Sequence, residues 1–186
     1  MIAHTAVEAG ASQKVRELAG LVDLVGELDP RVILEIGSMD GGTLRAWKAV
    51  APDATLISVS LSGGPYGGGT VPEGITQHHL DLDSHSALAL TRVLEILDGR
   101  PIDFMFIDGD HSYEGVRSDF AMYAWLVRRG GGIVAFHDIL PHDDGTGIEV
   151  DRFWHELTAR YEWDQFVALD ELRENKVWGG IGVVYL

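Results

Sequence analysis

The feature that most constrains the fold of this chain is a regular alternation of short apolar runs with amphipathic helical patterns. Short apolar runs are typical of strands, and their alternation with helices predicts βαβ units around a parallel sheet. The run Val32–Ile36 is interrupted only by Glu35, as expected for a strand whose two faces are both covered. We therefore predict an α/β fold in which helices pack on both faces of the sheet.

The remaining elements follow the same alternation along the chain. Strands are predicted at residues 32–36, 55–60, 75–80, 102–107, 133–136, 166–168 and 181–185. Helices are predicted at residues 13–28, 43–50, 84–97, 113–127 and 150–161, with Ser84 as the N-cap of the third. The Gly- and Pro-rich residues 63–74 predict an irregular loop, and Gly179–Gly180 a turn that returns antiparallel at the sheet edge.

Composition excludes several classes of partner and site. The chain has 186 residues, enough for one domain with a sizeable core, and acidic residues outnumber basic ones 29 to 14, for a net charge of −15. Such a surface repels phosphate backbones and anionic lipid, so we expect neither a nucleic-acid nor a membrane partner. Cysteine is absent, which excludes disulfides, thiolate metal sites and cysteine nucleophiles. The first ten residues hold no basic cluster, and we expect a cytoplasmic protein.

The first motif with chemical meaning follows the first predicted strand and precedes a helix. It contains Glu35, Gly37, Gly41 and Gly42. Glycines in such a turn let the backbone pass close to a ligand, and in open α/β sheets the ligand crevice lies at this kind of position. Met39 stands where a dinucleotide fingerprint needs glycine, so that site is disfavoured. The alternative to a ligand turn is an ordinary strand-to-helix turn.

Two further motifs place acidic and histidine side chains at the ends of the fourth and fifth predicted strands. Asp108, Asp110 and His111 follow one strand, and His137 and Asp138 follow the next. Unpaired buried charges are costly, so a purely structural role for the whole set is not expected. Because adjacent strands lie roughly 5 Å apart, Asp108 and Asp138 can reach one divalent cation such as Mg²⁺ or Mn²⁺. The alternative is a hydrogen-bonded Asp–His pair without a metal.

The order of these motifs resembles the class I methyltransferases, which use S-adenosylmethionine (SAM). More narrowly, it is similar to a small group related to cephalosporin-hydroxylase-like proteins and sugar O-methyltransferases of antibiotic pathways. The likeness runs from about residue 32 to residue 139, and its most diagnostic string is FIDGDHSYEGV. It implies a Rossmann-like, seven-stranded, mostly parallel sheet with an antiparallel last strand, in a single domain over residues 1–186. Residues 1–30 would form a helical lead-in, and residues 140–150 a lid loop over the acceptor.

The resemblance also implies which residues surround the cofactor. Those expected near the methionine portion and the ribose of SAM are Glu35, Gly37, Ser38 and Gly41. Asp83 would lie near the adenine, and Asp108 would border the same pocket. Relatives commonly carry an acidic residue at the end of the second strand, which accepts hydrogen bonds from the ribose hydroxyls. This chain has Ser60 there, and a neutral hydroxyl or a backbone group makes weaker bonds than a carboxylate.

The same resemblance implies metal-assisted methyl transfer to a hydroxylated small molecule. Asp108 matches the first metal aspartate of the sugar methyltransferases, and His137 and Asp138 match their paired acidic residues, with histidine replacing the first. That replacement puts metal occupancy and preference in question. A metal at this place lowers the pKa of the acceptor hydroxyl and orients it. We select His111 as the general base because an unperturbed imidazole titrates near about pH 6.5, with Asp110 as the second candidate.

Two other functions are compatible with parts of the sequence. The absence of an acidic residue after the second strand favours a non-catalytic member of the fold that binds a partner, whereas Glu35, Asp108 and Asp138 favour an enzyme. A nicotinamide or nucleotide-sugar enzyme on a related sheet is disfavoured by Met39. Most tryptophans are interpreted as core or subunit contacts, so the sequence is compatible with either a monomer or a homo-oligomer.

Overall fold

The structure is a computed structural model that describes residues 1–62, 74–142, 145–170, 172–173 and 176–186. Its strands are β1 (Val32–Ile36), β2 (Thr55–Val59), β3 (His78–Leu80), β4 (Phe104–Ile107), β5 (Ile133–His137), β6 (Glu162–Phe166), β7 (Leu172–Arg173), β8 (Lys176–Val177) and β9 (Ile181–Tyr185). Its helices are α1 (Ile2–Glu8), α2 (Val15–Leu28), α3 (Gly42–Val50), α4 (Ala87–Leu97), α5 (Tyr113–Tyr123) and α6 (Val150–Thr158), and a 3₁₀ turn covers Ala124–Leu126. The longest of these helices has 14 residues, and no helix within the described residues is long and apolar enough to cross a membrane.

Seven strands form one sheet in the order β3-β2-β1-β4-β5-β9-β6. The pairs β1–β2, β2–β3, β1–β4 and β4–β5 are parallel, and β9 lies antiparallel between β5 and β6. The expected Rossmann-like α/β fold, with a mostly parallel seven-stranded sheet and an antiparallel last strand, is therefore confirmed. The strand order reverses between β1 and β4, which is where open α/β sheets leave a crevice for a ligand.

The core forms two layers, one on each face of the sheet. Alternate residues of β1 point to opposite sides, so Val32 and Leu34 join a cluster under α4, α5 and α6. Ile33 joins a second cluster that contains side chains of α1, α2 and α3. Every residue of β1 is buried, which explains why its sequence is nearly continuous in apolar residues.

Two predicted helix boundaries are corrected by local hydrogen bonding. Helix α4 begins at Ala87 and its N-cap is Ser86, whose hydroxyl accepts from the backbone N–H of Ala89 at 3.1 Å, so the prediction of Ser84 as the cap was wrong. The helix predicted at residues 113–127 ends at Tyr123 and continues as a 3₁₀ turn. Ser84 and Ser86 are both suitable as an N-cap by residue type. Which of them caps the helix depends on the backbone conformation, which residue type alone does not predict.

The periphery of the sheet also departs from the prediction. Helix α1 falls within the helical lead-in expected over residues 1–30 but was not predicted as a separate helix, and the sixth strand lies at Glu162–Phe166 rather than at residues 166–168. This strand is at the sheet edge and four of its five residues are exposed, so it lacks the apolar run that marks a buried strand. Most of the Gly- and Pro-rich loop and residues 143–144 of the predicted lid lie outside the described residues.

Candidate functional site

The turn between β1 and α3 lies against the end of β4 at the point where the strand order reverses. Gly37 has φ +87°, and a Cβ at this position would lie 2.0 Å from the carbonyl oxygen of Asp108. Gly41, with φ 77°, is the N-cap residue of α3. The glycine at position 37 is therefore required by a close approach of two backbones, as well as by a left-handed conformation.

A small cleft opens at this turn, and we call it the glycine cleft. Its lining residues are Gly10, Ala11, Ser12, Gln13, Gly37, Ser38, Met39, Gly42, Thr43 and Asp108. The Nε2 of Gln13 donates to Oδ2 of Asp108 at 2.6 Å, and Gln13 is only 3% exposed. The segment that precedes α2 thus forms one wall of a pocket whose other wall is the motif after β1.

Asp108, His137 and Asp138 lie together at the ends of β4 and β5. The Nδ1 of His137 is 3.4 Å from Oδ1 of Asp108 and 3.3 Å from Oδ2 of Asp138. One ligand atom from each of the three lies within 4.8 Å of the others. Because β4 and β5 are neighbouring parallel strands, the two aspartates meet at the same edge of the sheet, as predicted.

Three more side chains complete what we call the acid–histidine cluster. His111 spans the two aspartates, with Nε2 3.2 Å from Oδ1 of Asp108 and Nδ1 3.5 Å from Oδ2 of Asp138. His142 lies 3.5 Å from Oδ1 of Asp138 through its Nε2. On the inner side, Oε1 of Glu17 lies 3.2 Å from Nε2 of His137. From the cleft to the core, the order is thus a carboxylate (Asp108), an imidazole (His137) and a second carboxylate (Glu17).

The cluster perturbs the proton affinities of its members in opposite directions. Burial by itself raises the pKa of Asp108 and of Asp138, but His137, with help from His111, lowers both below their ordinary values. Burial by itself lowers the pKa of His137, but Asp108 and Asp138 raise it well above its ordinary value. His111 shows the same balance, with Asp108 raising its pKa against burial. The carboxylates are therefore ionised at neutral pH, as cation binding requires.

Glu35 lies beneath α3 and outside the lining of the glycine cleft. Its carboxylate accepts from the hydroxyl of Thr43 at 2.5 Å and from the indole N–H of Trp47, and the residue is fully buried. Burial raises the pKa of Glu35 to about 8, although the two hydrogen bonds oppose the shift. Glu35 thus holds Thr43, which does line the cleft, and its own contact with a cofactor stays a prediction.

Replacing Glu35 with glutamine is expected to reduce the pH dependence of stability. Because the pKa of Glu35 is about 8 in the folded chain and the ordinary value of a glutamate is 4.5, the folded chain binds more protons at this group between those values. The group's contribution to stability is therefore complete below 4.5 and is lost as the pH rises through about 8. From about pH 5.5 to about pH 8, the loss is roughly 2–3 kcal/mol for the wild type.

Thermal unfolding of both proteins at these two pH values tests this expectation. A glutamine oxygen can accept from Trp47 while its N–H donates to the hydroxyl of Thr43, so the variant keeps both contacts without a charge. Glu27→Gln, an exposed change on α2, is the control and should keep the wild-type pH dependence. Equal pH dependence in wild type and Glu35→Gln would contradict the raised pKa.

The side chains expected near the ribose and the adenine lie along the ends of β2 and β3. Ser38 and Ser58 share a buried hydrogen bond of 2.6 Å between their hydroxyls. Ser60 follows β2, and its N–H donates to the carbonyl of Leu80 at 3.1 Å. Asp83 is exposed and accepts from the N–H of His85 at 2.9 Å. Their contacts with a cofactor stay predictions, and the structure adds no acidic residue on β2 itself.

Asp110, the second candidate for a general base, lies apart from the acid–histidine cluster. Its Oδ1 accepts from the N–H of Ser112 at 2.9 Å, and its side chain packs so closely on Gly115 that a Cβ there would be 2.2 Å from the carboxyl carbon. Asp110 therefore stabilises the first turn of α5, whereas His111 lies between the two aspartates.

Sequence reasoning missed Gln13, Glu17, Asp81 and His142. Asp81 accepts from the N–H of Ser62 at 2.7 Å and also from its hydroxyl, so a carboxylate does stand beside the end of β2. Glu17 had a detectable signal, because it falls on the apolar stripe of α2 near Leu18 and Leu21. A charged residue on the buried face of a helix indicates a specific partner.

Comparison with known proteins agrees with this architecture. The O-methyltransferase TomG from Streptomyces achromogenes, involved in tomaymycin synthesis and solved in complex with SAM, is similar with 18% identity and a TM-score of 0.64, covering 100% of this chain and 90% of that one. An O-methyltransferase from Bacillus cereus, solved with SAH, has 17% identity and a TM-score of 0.63 over 100% of this chain and 89% of that one. MycE of the mycinamycin biosynthetic pathway, solved with Mg and SAH, has 19% identity and a TM-score of 0.60, covering 90% of this chain and 48% of that one.

Sequence comparison gives a viral relative and a family match. The uncharacterized protein R132 of Acanthamoeba polyphaga mimivirus is 30% identical over 118 residues, which are 58% of this chain and 52% of that protein. The chain thus spans about half the length of this curated relative. A family model described as a methyltransferase domain matches residues 34–139, more than half of the chain, from β1 to the acid–histidine cluster. The chain therefore belongs to the methyltransferase-domain family, in agreement with the class I resemblance.

Proposed function

We propose that this protein is a SAM-dependent methyltransferase that transfers a methyl group to a hydroxyl oxygen of a small molecule, beside a bound divalent cation. The observation that carries the proposal is the position of Asp108. Its Oδ2 accepts from Gln13 in the glycine cleft, and its Oδ1 faces His111 and His137 of the acid–histidine cluster. One carboxylate therefore borders both the cleft at the switch point and the group of residues suited to a cation.

The glycine cleft offers groups that suit SAM. The Oε1 of Gln13 is buried and has no hydrogen-bond partner among the described residues, so it is suited to a donor such as the ammonium of the methionine portion. Asp108 supplies negative charge beside this acceptor. The turn residues that would hold the same portion are Gly37, Ser38 and Gly41, with Ser60 for the ribose and Asp83 for the adenine.

The acid–histidine cluster offers donors that suit Mg²⁺ or Mn²⁺. In an octahedral site with bonds of about 2.1–2.3 Å, neighbouring donor atoms are about 3.0–3.3 Å apart. The separations of 3.3 and 3.4 Å between Nδ1 of His137 and the two aspartate oxygens are close to this range. Two carboxylates and an imidazole form a mixed oxygen and nitrogen donor set, to which Mn²⁺ is better suited than Ca²⁺.

The proposed chemistry divides the work among a few groups. When bound, SAM supplies an electrophilic methyl group, and the cation lowers the pKa of the acceptor hydroxyl. Asp108 and Asp138 would hold the cation, and the cleft would orient the reacting partners, an effect that contributes several kcal/mol to many such reactions. In its neutral form His111 would take the proton of the hydroxyl, and the two aspartates on either side would stabilise the imidazolium that forms.

Calorimetric titration with SAH tests the cofactor part of the proposal. We expect saturable binding with one site per chain, because the product keeps the ammonium, ribose and adenine that the cleft would contact. Fluorescence titration with NADH is the matched control and should show no binding, since Met39 replaces a glycine of the dinucleotide fingerprint. The absence of heat with millimolar SAH would contradict the proposal, and binding of NADH would favour a nicotinamide enzyme.

A further inference from the structure

We infer that Glu17 is a positioning residue for the cation site, because it fixes the orientation and the tautomer of His137 from the core side. The inference rests on the proposed cation site and extends it to a residue of α2, outside the two strands that carry the ligands. Glu17 lies 120 residues from His137 in sequence, and their side chains meet at 3.2 Å in the buried interior.

The carboxylate of Glu17 is held in place by three hydrogen bonds. Its Oε1 accepts from the backbone N–H of Lys14 at 2.9 Å and faces Nε2 of His137, and its Oε2 accepts from the N–H of Gly180 at 3.0 Å. The side chain has no exposed surface. A carboxylate fixed in this way has one position from which to receive the imidazole, so it sets the ring orientation of His137.

The charge of Glu17 has a single ionisable partner within the described residues, and that partner is His137. The ammonium of the nearby Lys14 is directed elsewhere, since it donates to the carbonyl of Trp178 at 2.6 Å and to that of Ala168 at 3.4 Å. Burying an ionised carboxylate is costly without a charged or strongly donating partner. Glu17 also caps the start of α2 through the N–H of Lys14, and the contact with His137 gives its buried carboxylate an ionisable partner that the cap alone does not supply.

The orientation matters because an imidazole can bind a metal only through a nitrogen that carries no proton. A carboxylate opposite Nε2 keeps a proton on Nε2, so a cation that displaces the other proton finds the lone pair of Nδ1 available. Nδ1 is the atom that faces Asp108 and Asp138, at 3.4 and 3.3 Å. Carboxylate–histidine–metal arrangements of this kind raise the basicity of the ligand and commonly change metal affinity by about 10–100-fold.

Close packing behind the pair protects this arrangement from water. A Cβ at Gly179 would lie 3.3 Å from Oε1 of Glu17 and 3.6 Å from Nε2 of His137, so the turn before β9 covers the contact. His137 itself is 4% exposed. Water therefore cannot readily replace Glu17 as the acceptor for Nε2–H.

Glu17→Gln tests the inference, with Mn²⁺ as the probe. A glutamine keeps an amide oxygen that can accept from the N–H of Lys14 and from Nε2, but it removes the negative charge that makes His137 a more basic ligand. We expect the affinity for Mn²⁺, measured by calorimetry on the folded protein, to fall about 10–100-fold. Glu27→Gln, an exposed change on the same helix, should bind Mn²⁺ as the wild type does. A purely structural role for Glu17 would lower the melting temperature and leave the Mn²⁺ affinity unchanged, which would overturn the inference.

A measurement on the wild type keeps the inference testable if Glu17→Gln does not fold. In the protein loaded with Zn²⁺ as a diamagnetic substitute, long-range ¹H–¹⁵N spectra, assigned by comparison with His137→Gln, should show a proton on Nε2 of His137. A proton on Nδ1 would overturn the inference even though the cation binds. Failure of the wild type to bind Mn²⁺ or Zn²⁺ would instead overturn the cation site itself, and binding of SAH would then decide the rest of the proposed function.

Discussion

Asp138→Asn is expected to weaken Mn²⁺ binding by about 100-fold or more and to lower the rate of methyl transfer by a similar factor. Asp138 contributes a carboxylate oxygen 3.3 Å from Nδ1 of His137 and 3.5 Å from Nδ1 of His111. Its loss removes one of two anionic cation ligands and one of the charges that stabilise protonated His111. The effect should exceed that of Glu17→Gln, since Asp138 would touch the cation directly.

Asparagine is the suitable replacement because of the backbone at this position. Asp138 has φ 60°, in the left-handed region that asparagine tolerates far better than most residues other than glycine. The variant therefore keeps the fold while it loses the charge, whereas alanine would add backbone strain. Circular dichroism and thermal unfolding should show a melting temperature near that of the wild type.

The matched control for this change is Asp53→Asn, which removes one charge from an exposed position between α3 and β2. We expect its Mn²⁺ affinity and its activity to equal those of the wild type. Unchanged Mn²⁺ affinity in folded Asp138→Asn would show that Asp138 is not a ligand. Full methyl transfer in excess chelator would show that the reaction needs no cation.

The part of the site that was predictable from sequence consists of residues at the ends of strands. Asp108 and Asp138 are each adjacent to an apolar run, and parallel pairing brings the ends of neighbouring strands to one edge, so local motifs suffice. Gly37 was found in the same way, because it follows the first strand. Such residues are positioned by the sheet, whose pattern is the strongest signal in the sequence.

The remaining residues reach the site through contacts between distant segments, which periodicity does not reveal. Gln13 meets Asp108 across 95 positions, and Glu17 meets His137 across 120. Glu35 shows the opposite case. Its place in a motif predicted a cofactor contact, which stays a prediction, but the motif did not reveal that its side chain lies on the α3 face of β1 and is bound by Thr43 and Trp47. Which face a strand residue takes depends on the layer above it, and that layer is set by tertiary packing.

Gly37→Ala is expected to destabilise the protein by about 3–5 kcal/mol and to lower its melting temperature by roughly 10 °C or more. The added Cβ would lie 2.0 Å from the carbonyl oxygen of Asp108, 2.4 Å from its carbonyl carbon and 2.6 Å from Cα of Gly109. All three atoms belong to the backbone, so relief requires the ends of β1 and β4 to separate. That separation would also widen the glycine cleft and move Asp108, so we expect SAH affinity to fall as well.

Gly99→Ala separates the two causes of this effect. Gly99 has φ +77°, close to the φ +87° of Gly37, but a Cβ there would meet no atom within 4 Å. Alanine at position 99 therefore adds the strain of the left-handed backbone alone, which costs about 1–2 kcal/mol, and leaves SAH affinity unchanged. The difference between the stability losses of the two variants is therefore the cost of the steric clash between Gly37→Ala and the backbone of Asp108 and Gly109. If both variants lose the same stability and bind SAH equally well, the contact between Gly37 and Asp108 is loose, and the geometry that joins the cleft to the acid–histidine cluster does not hold.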